Sequence, residues 1–185
     1  MKIKNLTLCA LFAALITIGT YIKIPTPLLP LTFQTLFVVL SGLVLGKKFG
    51  AVAVLVYVAA GVIGLPVFTG SIFNPTFGYI IGFIFGSMIA GYIAEKFKPC
   101  FLTWFSGALA GMAVIYAFGI PYYYFMSKWY LGNELGAKTL LMYFVLMPMP
   151  GDIFKSVAAA LMAGRLAKFF PNNFTWAAGQ KSPLN

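Results

Sequence analysis

Two ionisable residues stand inside otherwise apolar sequence. Asp152 and Lys155 interrupt a hydrophobic stretch that runs from about Thr139 to Ala163. Three residues apart, they share one face of a helix. Each costs about 2.5–3.5 kcal/mol at the centre of a membrane helix, which makes such residues functional-site candidates by default. Just before them, Pro148-Met149-Pro150-Gly151 frees backbone groups and lets the chain turn. Irregular backbone survives at membrane depth where it lines a cavity. One reading is a structural ion pair closing a bundle, or a lysine reaching to an interface. The weightier reading is a buried pocket with one acceptor and one cationic donor. Such a pocket suits a small molecule carrying a negative group and N–H donors.

A second constellation closes the uncharged loop 66–76. Asn74-Pro75-Thr76 is no glycosylation acceptor, because Pro occupies the middle position. Either Asn74 or Thr76 caps the following helix, or the Asn74 amide points at a ligand. Tyr79, one turn into that helix, and Gln34, near the start of the second helix, are expected at similar depth. Phe68 and Phe73 are suited to covering an apolar ligand body.

The chemistry that is missing narrows the function. The chain has no His, and its carboxylates are Glu95, Glu134 and Asp152. That excludes His-based acid–base chemistry and most zinc sites, and leaves too few carboxylates for a two-carboxylate hydrolase. No G-x-x-x-x-G-K-[ST] motif is present, so ATP is not bound here through a P-loop. Cys9 and Cys100 form no metal or disulfide pattern. No enzyme activity, catalytic residue, metal or cofactor is expected.

The elements that position these residues follow from composition. Of 185 residues, 61% are apolar and 9% charged, far below the roughly 25% charge of soluble domains. At about 20 residues per span, the chain is expected to be an all-α membrane bundle of six transmembrane helices. Their expected positions are 4–22, 31–45, 50–63, 77–94, 101–119 and 139–163, the last broken at 148–151. The prolines after residue 23 predict an extended loop, and the aromatic stretch 120–138 predicts an interfacial one. One transmembrane domain, 1–170, precedes a polar tail, 171–185. Although Lys2 and Lys4 precede the first apolar run like a signal peptide, that run ends in Lys23, Pro25 and Pro27, so it is read as a membrane helix.

Orientation follows from the basic residues. Lys2, Lys4, Lys47, Lys48, Lys96, Lys98, Arg165, Lys168 and Lys181 fall on one side, against Lys23, Lys128 and Lys138 on the other. The first side, with both termini, is expected in the cytoplasm of a multi-pass plasma-membrane protein. Scattered in ones and twos, these cations do not make a nucleic-acid surface.

Small residues mark where helices approach. Gly78, Gly82, Gly86, Ala90 and Ala94 recur every four residues and are read as internal packing, as are Gly107, Gly111, Gly42 and Gly46. Ala10 and Ala14 fit either internal packing or a groove for a partner.

These residues together resemble a family. The segment Pro30-Leu31-Thr32-Phe33-Gln34-Thr35-Leu36-Phe37 with Gly42 and Gly46, the segment Gly61 to Phe68, Asn74-Pro75-Thr76-Phe77-Gly78-Tyr79 with Gly82, and Pro150-Gly151-Asp152 with Lys155 resemble four motifs of BioY. BioY is the biotin-specific substrate-binding (S) component of energy-coupling-factor (ECF) vitamin transporters. Phe77 stands where Gly is expected in the third motif. The resemblance implies a membrane-embedded subunit that captures extracellular biotin. It implies as partners a transmembrane coupling protein and two ATPases. Biotin would be ligand rather than cofactor, with Asp152, Lys155, Asn74, Tyr79, Gln34, Phe68 and Phe73 around it. Ala10 and Ala14 match the family's face for the coupling protein, which tips their reading toward docking. Two other readings stay open: an S component for another small vitamin, and a ligand-free membrane scaffold.

Overall fold

The structure, a computed structural model, describes residues 3–24, 31–68, 77–129 and 136–169. The element order is α1 (Ile3–Tyr21), β1 (Lys23–Ile24), β2 (Leu31–Thr32), α2 (Gln34–Val62), α3 (Phe77–Lys96), α4 (Phe101–Trp129), α5 (Ala137–Leu141), a π-helical turn (Met142–Leu146) and α6 (Met149–Phe169). The expected tail and the Asn74 region lie outside the described residues.

Among the described residues, five helical stretches are long and apolar enough to cross a membrane: Ile3–Tyr21, Gln34–Val62, Phe77–Lys96, Phe101–Trp129 and Lys138–Lys168. Their outer surfaces expose Leu11, Ile18, Phe85, Leu102, Phe118 and Phe154. Water would penalise that surface, whereas lipid tails do not. The expectation of a helical, multi-pass membrane protein therefore holds. Among the described residues the one non-helical element is a two-residue antiparallel ribbon, Lys23 opposite Thr32 and Ile24 opposite Leu31, at the base of the proline loop.

The second and third expected helices are the two arms of α2, which reverses direction at Gly46. Gly46 has φ 78° and ψ 175°, a conformation open to Gly and costly to any residue with a Cβ. A Cβ added to Gly50 would lie 2.7 Å from the Gly42 Cα. An unbroken helix would separate those residues by about 12 Å. Segments 34–45 and 47–62 therefore pack against one another.

Two boundaries are corrected. The fifth helix was expected to stop at Gly119 and give way to an aromatic loop, but α4 runs through Pro121 to Trp129. Proline is tolerated in membrane helices because neighbours re-satisfy the freed carbonyl. Packing supplies the reason to continue: Tyr123 is buried, with its ring 4.3 Å from that of Phe144. The last helix was expected to run from about Thr139 to Ala163 with a break near 148–151. α5 and the π-helical turn, closed by Met147 N–H to the Met142 carbonyl at 2.9 Å, do lead to a break at 147–148, but α6 then runs on to Phe169. Pro150 and Gly151 then fall in the first turn of α6, where a missing N–H costs no bond.

The small-residue faces pack internally, as expected. A Cβ on Gly86 would stand 2.8 Å from the Gly111 carbonyl, and one on Gly111 2.7 Å from the Gly86 carbonyl, so α3 and α4 meet backbone to backbone. Side-chain bonds then define two ends. At one end the Cys9 thiol reaches the Phe49 carbonyl at 3.4 Å, and Glu95 accepts from the Lys47 backbone N–H at 3.0 Å. There Trp104 also packs against Gly164. That end gathers the start of α1, the α2 reversal, the end of α3, the start of α4 and the end of α6. The opposite end holds the ribbon, the starts of α2 and α6, and Pro66, whose carbonyl accepts from the Tyr21 hydroxyl.

Candidate functional site

Asp152 enters the first turn of α6 directly after the break, with its backbone N–H bonded to the Pro148 carbonyl at 2.9 Å. One turn on, Lys155 points the same way. Both are 6% exposed, in a chain whose outer surface is apolar. The pair faces inward, away from lipid.

Lys155 makes three contacts. Its Nζ lies 2.5 Å from Asp152 Oδ1. It donates to Thr35 Oγ1 at 2.8 Å and to the Thr32 carbonyl at 3.2 Å. One ammonium thus ties α6 to β2 and to the first turn of α2. Its three N–H groups are used, as a buried ammonium requires.

The other carboxylate oxygen, Asp152 Oδ2, accepts from the Tyr116 hydroxyl of α4. Tyr116 meets the ring of Tyr79 edge-on at 5.9 Å. The Tyr79 hydroxyl is buried and has no hydrogen-bond partner among the described residues. Leaving a buried hydroxyl unpaired costs about 1–3 kcal/mol, so its position calls for a polar partner beyond the described residues. Gly119 makes room for this ring, since a Cβ there would overlap it.

Gln34 belongs to a neighbouring cluster. Its Nε2 donates to the Tyr57 hydroxyl at 2.7 Å, and that hydroxyl donates to the Val67 carbonyl at 3.4 Å. Phe68 closes the cluster, its ring 5.3 Å from Tyr57 and 6.4 Å from Phe77, both edge-on. The start of loop 66–76 therefore folds back over the helices, as its apolar composition predicts. Gln34 and Thr35 are consecutive, and they join the two clusters: Gln34 to Tyr57 and Thr35 to Lys155.

The structure thus brings together Asp152, Lys155 and, through Tyr116, Tyr79. Gln34 and Phe68 sit beside them without touching the ion pair. Asn74 and Phe73 lie outside the described residues. Ala10 and Ala14 are exposed on α1, while Ala13 is buried in the core. Sequence reasoning missed Tyr116, Tyr57, Thr35 and Thr32. Tyr116 had no signal, being one of ten tyrosines in the chain. Thr35 did have one, since it adjoins Gln34 in the first motif.

The chain as a whole is similar to known proteins. The sequence profile of the BioY family matches residues 1–172. The chain is 39% identical to the biotin transporter BioY of Thermotoga maritima, over 89% of this chain and 96% of that protein. It is 36% identical to the probable biotin transporter BioY of Lysinibacillus sphaericus, over 90% and 88% of the two chains. Its fold is similar to the crystal structure of the S-component for biotin from an ECF-type ABC transporter. That match has a TM-score of 0.81 and 26% identity, and covers 94% of this chain and 96% of the other.

Proposed function

Because this chain belongs to the BioY family, we propose that it is a membrane-embedded S component that captures extracellular biotin for import by an ATP-driven energy-coupling module. It is a multi-pass protein of the plasma membrane and a transporter subunit rather than an enzyme.

The observation that carries the site is the inward-facing pair Asp152 and Lys155, held by Tyr116 and Thr35. Biotin offers two ureido N–H donors, a ureido oxygen, a carboxylate and an apolar body. Asp152 is an acceptor for ureido N–H groups. Lys155 is a donor for the carboxylate or the ureido oxygen, and the Asn74 amide can serve either end. The Tyr79 hydroxyl, unpaired among the described residues, supplies one further polar contact. Phe68 and Phe73 cover the apolar part, whose burial contributes about 25 cal/mol per Å², and Gln34 is a polar neighbour at similar depth. Without ligand, Asp152 and Lys155 satisfy each other. Binding therefore exchanges that contact for contacts to ligand, and a molecule without matching groups leaves buried atoms unpaired.

The two arms of α2 count as separate crossings, giving six with α1, α3, α4 and the α5–α6 stretch. With basic residues concentrated at the end that holds both the start of α1 and the end of α6, both termini are cytoplasmic. Residues 1–170 then form the binding domain and 171–185 a tail. The ligand site opens at the opposite, outer end. Ala10 and Ala14, exposed on α1, offer a flat strip to the coupling protein, through which two ATPases act.

The test is a biotin titration of purified protein. Asp152→Asn and Lys155→Ala should each weaken binding about 10–100-fold, the 1.5–3 kcal/mol typical of a charged hydrogen bond. Wild-type affinity in both variants removes the site. Equal competition by unrelated vitamins removes the assignment to biotin.

A further inference from the structure

At the end of the bundle opposite the ligand site, α4 and α6 part to leave a groove of about 570 Å³. That is within the roughly 300–1,000 Å³ of ordinary ligand clefts. Its floor is Ala160, Gly164 and the nearly buried Trp104, and Phe101 forms a wall. At its mouth stand Arg165 and Lys168, both exposed, and among the described residues no carboxylate lines it. Leu161, exposed on the other wall, continues the apolar surface along α6.

A groove that is apolar in depth and doubly cationic at the membrane surface matches one kind of molecule. Acyl chains fit the Trp104–Gly164 floor, and a phosphate diester fits between the guanidinium and the ammonium. Basic pockets between membrane helices on the cytoplasmic side recognise anionic headgroups in this manner. Arg165 adds a planar fork that matches phosphate oxygens in pairs. We propose that this groove is a binding site for an anionic phospholipid of the inner leaflet. The site rests on the membrane reading and its orientation, not on biotin recognition.

Native mass spectrometry of the full chain in neutral detergent tests it, with phosphatidylglycerol and phosphatidylcholine as probes. Arg165→Gln with Lys168→Gln should reduce retained phosphatidylglycerol about tenfold while leaving biotin affinity unchanged. Lys4→Gln with Lys48→Gln removes equal charge from the same end and should not. Arg165→Lys with Lys168→Arg should restore retention. A fill-in variant, Leu161→Trp, keeps both charges and should lower retention of phosphatidylglycerol by obstructing the groove. The proposal fails if wild type holds phosphatidylcholine equally well, or if both double glutamine variants lose lipid alike. It also fails if the groove variants keep their lipid but lose uptake, which would give the groove to a protein partner.

Discussion

The Tyr116 hydroxyl donates to Asp152 Oδ2, joining the middle of α4 to the first turn of α6 across 36 residues of chain. Lys155 holds the other oxygen of the same carboxylate at 2.5 Å. Asp152 is thus held by groups from two helices, and under the proposed function such pre-set geometry lowers the entropy cost of binding.

Tyr116→Phe removes that donor and leaves the ring. Biotin affinity should fall about tenfold, in line with 1.5 kcal/mol for a bond to a charged group. The double variant with Asp152→Asn should lose less than the sum of the two single losses, because both act on one bond. Isothermal titration of the four proteins reads this directly. Strict additivity would separate Tyr116 from Asp152.

Thr35→Val should weaken binding more mildly, about fivefold, by taking one acceptor from the Lys155 ammonium. Thr35→Ser keeps the hydroxyl and should bind as wild type. If serine fails to rescue, the methyl group matters rather than the hydrogen bond.

Bulky residues on the exposed strip of α1 should divide binding from transport. Ala10→Trp with Ala14→Trp should leave biotin affinity intact and abolish uptake in cells that supply the energy-coupling module. Uptake at wild-type rate would release this face from any docking role.

Gly46→Ala should destabilise the fold by about 1–3 kcal/mol, since alanine is strained at φ 78°. Chemical denaturation in detergent should show the loss, and biotin, added in excess, should recover part of it by mass action. An unchanged midpoint would mean that the α2 reversal does not depend on this backbone conformation.

Cys100 should report orientation. It is exposed, and a hydrogen bond with the Thr103 hydroxyl at 3.3 Å holds its thiol below the usual range. That favours the reactive thiolate. Cys9 is fully buried. A membrane-impermeant maleimide should therefore label Cys100 in inside-out vesicles and spare Cys9. Labelling of intact cells would invert the topology.

Composition and hydropathy determined that this chain crosses a membrane repeatedly through helices, because apolar runs of span length admit few other structures in lipid. The cost of burying charge singled out Asp152 and Lys155 for the same reason. Gly46 with Lys47 and Lys48 marked a reversal between two membrane helices, but the close packing of Gly42 on Gly50 became visible only in space. Pro121 read as a stop because local propensity disfavours proline in a helix. Contacts from Tyr123 to Phe144 outweighed it, and those residues are distant in sequence. Tyr116 carried no local pattern, and Thr35 stood in the first motif without its partner being legible, since a hydrogen bond across 36 or 120 residues depends on how helices are arranged. Sequence determined which groups must be sheltered from lipid, a property of each residue and its neighbours. Tertiary structure decided which partners shelter them, a property of helix packing that no local pattern encodes.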